Sequence, residues 1–184
     1  MGKSASTGLR RNIGRNTMLA EDGIANNDKF ETVFLLNSND DFITKVDGSK
    51  HKVDLNNLTP AERKQAEGGT LTHNHPTSVK YNKTAFSKKD LETAYHLKLA
   101  EIRVAAGTFR ASFKWNDKAT KSDMQALSKN LSKLDSKYLK KRNKDLQKTG
   151  GKNHDKIDVK YINQTNKKLT KLAKKYNFTF TTNK

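Results

Sequence analysis

The apolar residues of the first 116 positions fall into short runs, each closed by a turn signal, and that spacing limits what the segment can fold into. Phe30-Glu-Thr-Val-Phe-Leu-Leu36 is β-branched and aromatic and stops at Asn37-Ser-Asn-Asp40. Phe42-Ile-Thr-Lys-Val46 follows and ends at the turn dipeptide Asp47-Gly48. Two such runs across a polar turn predict a hairpin, with His51-Lys-Val-Asp-Leu55 as a third short strand. Thr59 at the N-cap, Pro60 at N1 and Glu62 at N3 open a short helix that Gly68-Gly69 closes. Thr70–His73 reads as a buried strand, Ser87 starts a helix reaching about Leu99, and Glu101–Ala106 and Phe109–Trp115 flank Gly107 as two more strands. The order ββαβ-loop-αββ predicts an α/β domain over residues 29–116.

Residues 1–28, rich in Gly, Ser, Asn and Arg, read as a flexible leader. Its opening Met-Gly-Lys-Ser-Ala-Ser fits the myristoylation pattern, although a polar leader accounts for the same residues. Residues 117–184 have a different character. Met124, Leu127, Leu131, Leu134 and Tyr138 recur at three- and four-residue steps, so one stripe of a helix is apolar. Gly150-Gly151 breaks that helix; a second is expected from about Asn163 to Tyr176, then a short strand at Phe178-Thr-Phe180.

Charge separates the same two regions. The chain carries a net +18, and residues 117–184 hold 19 Lys/Arg against 6 Asp/Glu. A basic region of this kind predicts salt-sensitive contact with a polyanion such as nucleic acid, or simply a solvated helix surface. There is no apolar run long enough to span a bilayer. The chain has no cysteine, which leaves His, Asp and Glu as metal ligands.

Those ligands occur together in Thr72-His73-Asn74-His75-Pro76, followed by Ser87-Lys-Lys-Asp90. Side chains two apart on an extended segment point the same way, so His73 and His75 can reach one ion. Pro76 forces a turn directly after the second histidine. A carboxylate from the first turn of the next helix, Asp90, completes a His-His-Asp set and leaves a fourth tetrahedral position for water, as in catalytic zinc sites. Ser87 and Asp90 also read as a plain helix cap.

These residues resemble the JAMM (MPN+) zinc metalloproteases, whose pattern is an upstream Glu, His-x-His-Pro and Ser-x-x-Asp. The loop between His75 and Ser87 is longer here than in the usual pattern. The resemblance covers about residues 29–116 and implies a JAMM/MPN-like (cytidine-deaminase-like) mixed sheet with flanking helices. It also implies Zn²⁺ on His73, His75 and Asp90 and cleavage of an amide or isopeptide bond in a protein or peptide substrate. Glu31 is the matching upstream carboxylate, with Glu21 as the alternative. The implied role of Glu31 is to move a proton from the attacking water to the leaving amine, while Ser87 donates a hydrogen bond to the oxyanion. A charge on an edge strand is the lesser alternative for Glu31.

Leu71–Pro76, Phe86–Leu91, Glu101–Val104 and the closing Leu169–Phe178 are further similar to the JAMM-like domain of phage head-morphogenesis (minor capsid) proteins and related mobile-element toxins. That similarity implies a virion or bacterial host cytoplasm as the setting, portal or capsid proteins as partners, and DNA contact through the basic region. A metal-dependent nuclease is a third reading, favoured by charge alone. His51, His96 and His154 are expected on the surface and Trp115 in the core.

Overall fold

The computed structural model describes residues 13–116 and 119–183, so the Met-Gly-Lys-Ser motif lies outside the described residues. A six-stranded mixed sheet organises the fold: β1 (Thr32–Leu36), β2 (Phe42–Asp47), β3 (Thr70–Asn74), β4 (Glu101–Ala106), β5 (Phe109–Trp115) and β6 (Phe178–Thr182), in the order β2-β1-β3-β4-β5-β6. Every neighbouring pair is antiparallel except β3 and β4. A parallel pair needs a crossover, which the chain makes through a 3-10 turn at Pro76–Tyr81 and helix α3 (Lys88–His96). Gly107, at φ +56°, turns β4 into β5, and a Cβ there would lie 2.0 Å from Asn82 Oδ1. That same oxygen accepts from the Thr108 N–H, tying the end of the crossover loop to the hairpin.

The hairpin β1–β2 and the strands β3, β4, β5 and β6 form where the apolar runs predict them. Helix α2 (Pro60–Ala66) carries the expected cap: Thr59 and Glu62 form a reciprocal capping box with Pro60 in the first turn. Three expectations need correction. The supposed flexible leader contains helix α1 (Arg15–Ile24), with Thr17, Ala20, Glu21 and Ile24 buried. His51–Leu55 pairs with no strand and runs as an irregular segment. The second helix of the basic region begins at His154, well before Asn163.

The sheet has two unlike faces. Strand alternation puts Val33, Leu35, Leu71, Ile102, Val104 and Phe113 on one side, where α3 adds Leu91 and Ala94. Helices α4 (Lys121–Lys148) and α5 (His154–Lys175) complete this core with Met124, Leu127, Leu131, Leu169 and Ala173. The basic region is therefore joined to the domain: its strand β6 pairs with β5, and Phe178 is buried in the same cluster.

The opposite face is polar and covered by α1. Arg103, 1% exposed, bonds to Glu21 of α1 and to Glu101, and Arg110 bonds to Glu21 and Asp22. Among the described residues no helix is long and apolar enough to cross a membrane.

Candidate metal centre

The site grows from the register of three strands. His73 sits in the middle of the sheet, with Val33 of β1 and Val104 of β4 as its Cα partners. Its side chain is 1% exposed and faces the apolar side. His75 lies one residue beyond β3 in extended backbone (φ −117°, ψ 97°), and the buried Pro76 starts the 3-10 turn. The two imidazoles consequently converge, with Nε2 atoms 3.1 Å apart. The buried Thr84 hydroxyl lies 2.7 Å from Nδ1 of His75, which fixes that ring and suits the tautomer with a bare Nε2.

Asp90 comes from the first turn of α3. Ser87 Oγ accepts from the Asp90 N–H, and Asp90 Oδ2 accepts from the Ser87 N–H at 2.6 Å. The cap read as the plain alternative is thus present. It coexists with a second relation: the two oxygens of Asp90 lie 3.7 Å from Nε2 of His73 and of His75 respectively. The capping box holds the carboxylate where both rings can meet it.

Glu31 immediately precedes β1, and its backbone still pairs with Gly48 and Ser49 across the hairpin. Continuing the β1–β3 register by two residues sets Glu31 opposite His75, on the same face as His73. Glu31, His73 and His75 each present a ligand atom within 4.8 Å of the others. Glu21, the alternative base, is 2% exposed on the far face and is engaged by Arg103 and Arg110.

Bonds of ~2.0–2.1 Å at the tetrahedral angle imply ligand–ligand separations of about 3.3 Å. The separations of 3.1 and 3.7 Å found here bracket that value. Two imidazoles and two carboxylates, with no thiolate, form a nitrogen and oxygen donor set suited to a divalent cation. Within it, Glu31, His73 and His75 form a group that could hold a metal ion, and Asp90 stands beside both rings.

Electrostatics favour the same occupant. Burial, reinforced by the neighbouring His73, pulls His75 down to about 4 despite Asp90, so the ring is neutral at pH 7. Burial also opposes charge on His73, but Asp90 and Glu31 outweigh it and raise its pKa. Asp90 is buried too, yet His73, His75 and the Ser87 N–H hold its carboxyl far below the usual range. Burial raises Glu31, with His73 pulling it down and Asp90 pushing it up.

A cavity of about 250 Å³ opens over these groups, lined by Glu31, His73, His75, Ser87 and Asp90. Its outer wall is the irregular segment Lys50–Leu55, so the exposed His51 borders the cleft. The fold of that wall, which the strand-like alternation of His51–Leu55 does not announce, is what brings His51 there.

Asn74, between the two histidines, is a second residue that pattern reading passes over. It is fully buried on the polar face; its Oδ1 accepts from the Thr32 N–H at 2.6 Å, and its Nδ2 donates to the carbonyls of Asn27 and Phe30. Asn74 thereby fastens the chain that carries Glu31 to the strand that carries His73. His96 ends α3 away from the site, and His154 pairs with Asp158 at the surface. Trp115 is partly buried against Phe113 and Phe178. No protein-family model, no curated protein and no solved structure matches this chain.

Proposed function

We propose that the chain is a zinc-dependent hydrolase of the JAMM type that cleaves an amide or isopeptide bond. The carrying observation is that His73 and His75 converge with the half-buried Glu31 in a group able to hold a metal, beneath a cleft where Asp90 lies 3.7 Å from both rings. The site lies at the carboxyl end of β3 beside the parallel pair β3–β4, where open α/β sheets place their ligands. That arrangement also supports reading the mixed sheet as JAMM/MPN-like.

Bound zinc would supply Lewis acidity, polarising a carbonyl and acidifying water. His73, His75 and Asp90 would hold it, with Thr84 keeping the His75 ring in register. Glu31 stands at the cleft with a raised pKa, which suits a carboxylate that must both take and give a proton. As water oxygen bonds to the carbonyl carbon, Glu31 receives the water proton; as the carbon–nitrogen bond breaks, the same proton passes to the leaving nitrogen. Ser87 Oγ accepts from the Asp90 N–H, so its own O–H is available to donate to the oxyanion.

The test is hydrolysis of a quenched-fluorescence peptide library and of isopeptide-linked substrates by zinc-loaded protein. Glu31→Gln is expected to retain metal and lose activity by about 10²–10⁴-fold, the range for removing a general base. Full activity in that variant would take Glu31 out of the reaction.

A further inference from the structure

Beyond the metal centre, we propose that the outer face of the α4–α5 pair is a docking surface for a nucleic-acid duplex. Lys129, Lys133, Lys137, Lys140, Lys144 and Lys148 of α4 are all exposed. At ~3.6 residues per turn and ~1.5 Å per residue they share about a third of the helix circumference over about 30 Å. No hydrogen bond or ion pair engages any of the six among the described residues.

The acids of α4 are placed elsewhere. Asp123 closes the N-terminal cap, Asp145 accepts from Lys160 and Tyr161 of α5, and Asp135 borders a separate cavity together with Arg142 and Asp158. Ser132, Ser136 and Asn143 are neutral, exposed positions beside the stripe, and the exposed Asp135 projects from another side of the helix.

Like charges at i,i+4 repel along a helix, and here Lys129, Lys133 and Lys137 form one such series while Lys140, Lys144 and Lys148 form another. A solvated face that serves only solubility mixes both signs. This one does not: among the described residues only Asp145, at the Lys148 end, stands close enough to offset the repulsion, whereas a row of phosphates would offset it along the whole stripe. Helix α5 continues the surface. Lys156, Lys167, Lys171 and Lys174 are exposed at helical spacing from Lys160, which reaches α4 at Asp145.

The rest of the helix pair selects the partner. Most of the apolar stripe of α4 is spent on the core at Met124, Leu127 and Leu131, and the exposed Leu139 alone is too little apolar surface for insertion into a lipid surface. Tyr138 and Tyr161 pack against each other, and the lysine face carries no aromatic residue to stack on unpaired bases. A line of cations without stacking groups fits the phosphates of a duplex and reads no sequence.

The experiment measures fluorescence anisotropy of full-length protein with a labelled DNA duplex of about 20 base pairs, longer than the stripe at ~3.4 Å per pair. The matching single strand and phosphatidylserine vesicles serve as competing probes. One variant neutralises Lys133, Lys137, Lys140 and Lys144 to Gln; a charge-matched control neutralises Lys29, Lys45, Lys64 and Lys98. Duplex affinity is expected to fall steeply between about 50 and 200 mM salt, and the α4 variant to bind about tenfold more weakly with a shallower salt slope. The control is expected to stay near wild type, and the α4 variant to keep or raise its Tm as the repulsion is relieved. Absence of duplex binding, equal loss in both variants, preference for the vesicles, or a lowered Tm in the α4 variant would each overturn the proposal.

Discussion

Asn74 occupies the position between two histidines where sequence reading looks for nothing, yet its side chain makes three buried hydrogen bonds. Asn74→Ala leaves the Thr32 N–H and two carbonyls without partners, which is expected to cost about 2–4 kcal/mol in urea unfolding. Asn74→Asp should not restore stability, because it sets a carboxylate oxygen against the carbonyls of Asn27 and Phe30. The two candidate glutamates separate just as sharply. Glu21→Ala takes one carboxylate from each of two buried guanidiniums, leaving Glu101 and Asp22 as their partners, and is expected to cost about 1–3 kcal/mol, with no direct effect on metal binding. Glu31→Gln is expected to hold or raise stability at pH 7. The Glu31 pKa is raised in the folded chain, so the metal-free wild type loses stability as pH climbs from 4.5 through the raised value. The Gln variant lacks that loss, and denaturation at several pH values reads the difference. The histidine pair was legible in the sequence because its two-residue spacing dictates convergence, and Asp90 was legible only beside that pair, since Ser87-Lys-Lys-Asp90 alone reads as a helix cap. Asn74 and His51 were not, since their roles depend on which distant backbone reaches them.

At the scale of elements, the same capping box recurs at α3 and α4, but only the one at α3 sits under the metal centre. Ser87→Ala is expected to cost about 0.5–2 kcal/mol as a lost cap. It should also weaken zinc binding about 10–100-fold, because the aim of Asp90 depends on that cap. Thr120→Ala carries a similar capping cost and should leave zinc affinity unchanged; isothermal titration of both variants makes the comparison. Helix α2 was readable because Thr59, Pro60 and Glu62 are a local signal. Helix α1 was missed for an equally physical reason. Its buried positions keep helical spacing, but two of them are Thr17 and Glu21, so no apolar stripe appears until Arg103 and Arg110 are seen beneath it. In the segment at His51–Leu55, Val53 and Leu55 alternate like a strand, yet they serve as the partly buried wall of the cleft.

For the molecule as a whole, composition suggested a compact front domain and a basic appendage, whereas the core draws on both. Charge marks the surface of α4 and α5 and says little about their inner faces, where Leu127, Leu131 and Leu169 are fully buried. A chain ending at residue 116 loses β6 and this half of the apolar cluster; one beginning at residue 29 leaves Arg103 and Arg110 without Glu21. Both are expected to lose cooperative thermal unfolding and native-like amide dispersion in NMR spectra. The proposed ligands meet where β1, β3 and α3 come together, and metal content reports on that convergence. Protein exchanged into zinc, desalted and analysed by mass spectrometry for bound metal is expected to carry one zinc per chain in the wild type and in Glu31→Gln. His75→Ala and Asp90→Ala should carry little or none. A wild type that retains no metal, or a His75→Ala variant that retains it fully, would contradict the account.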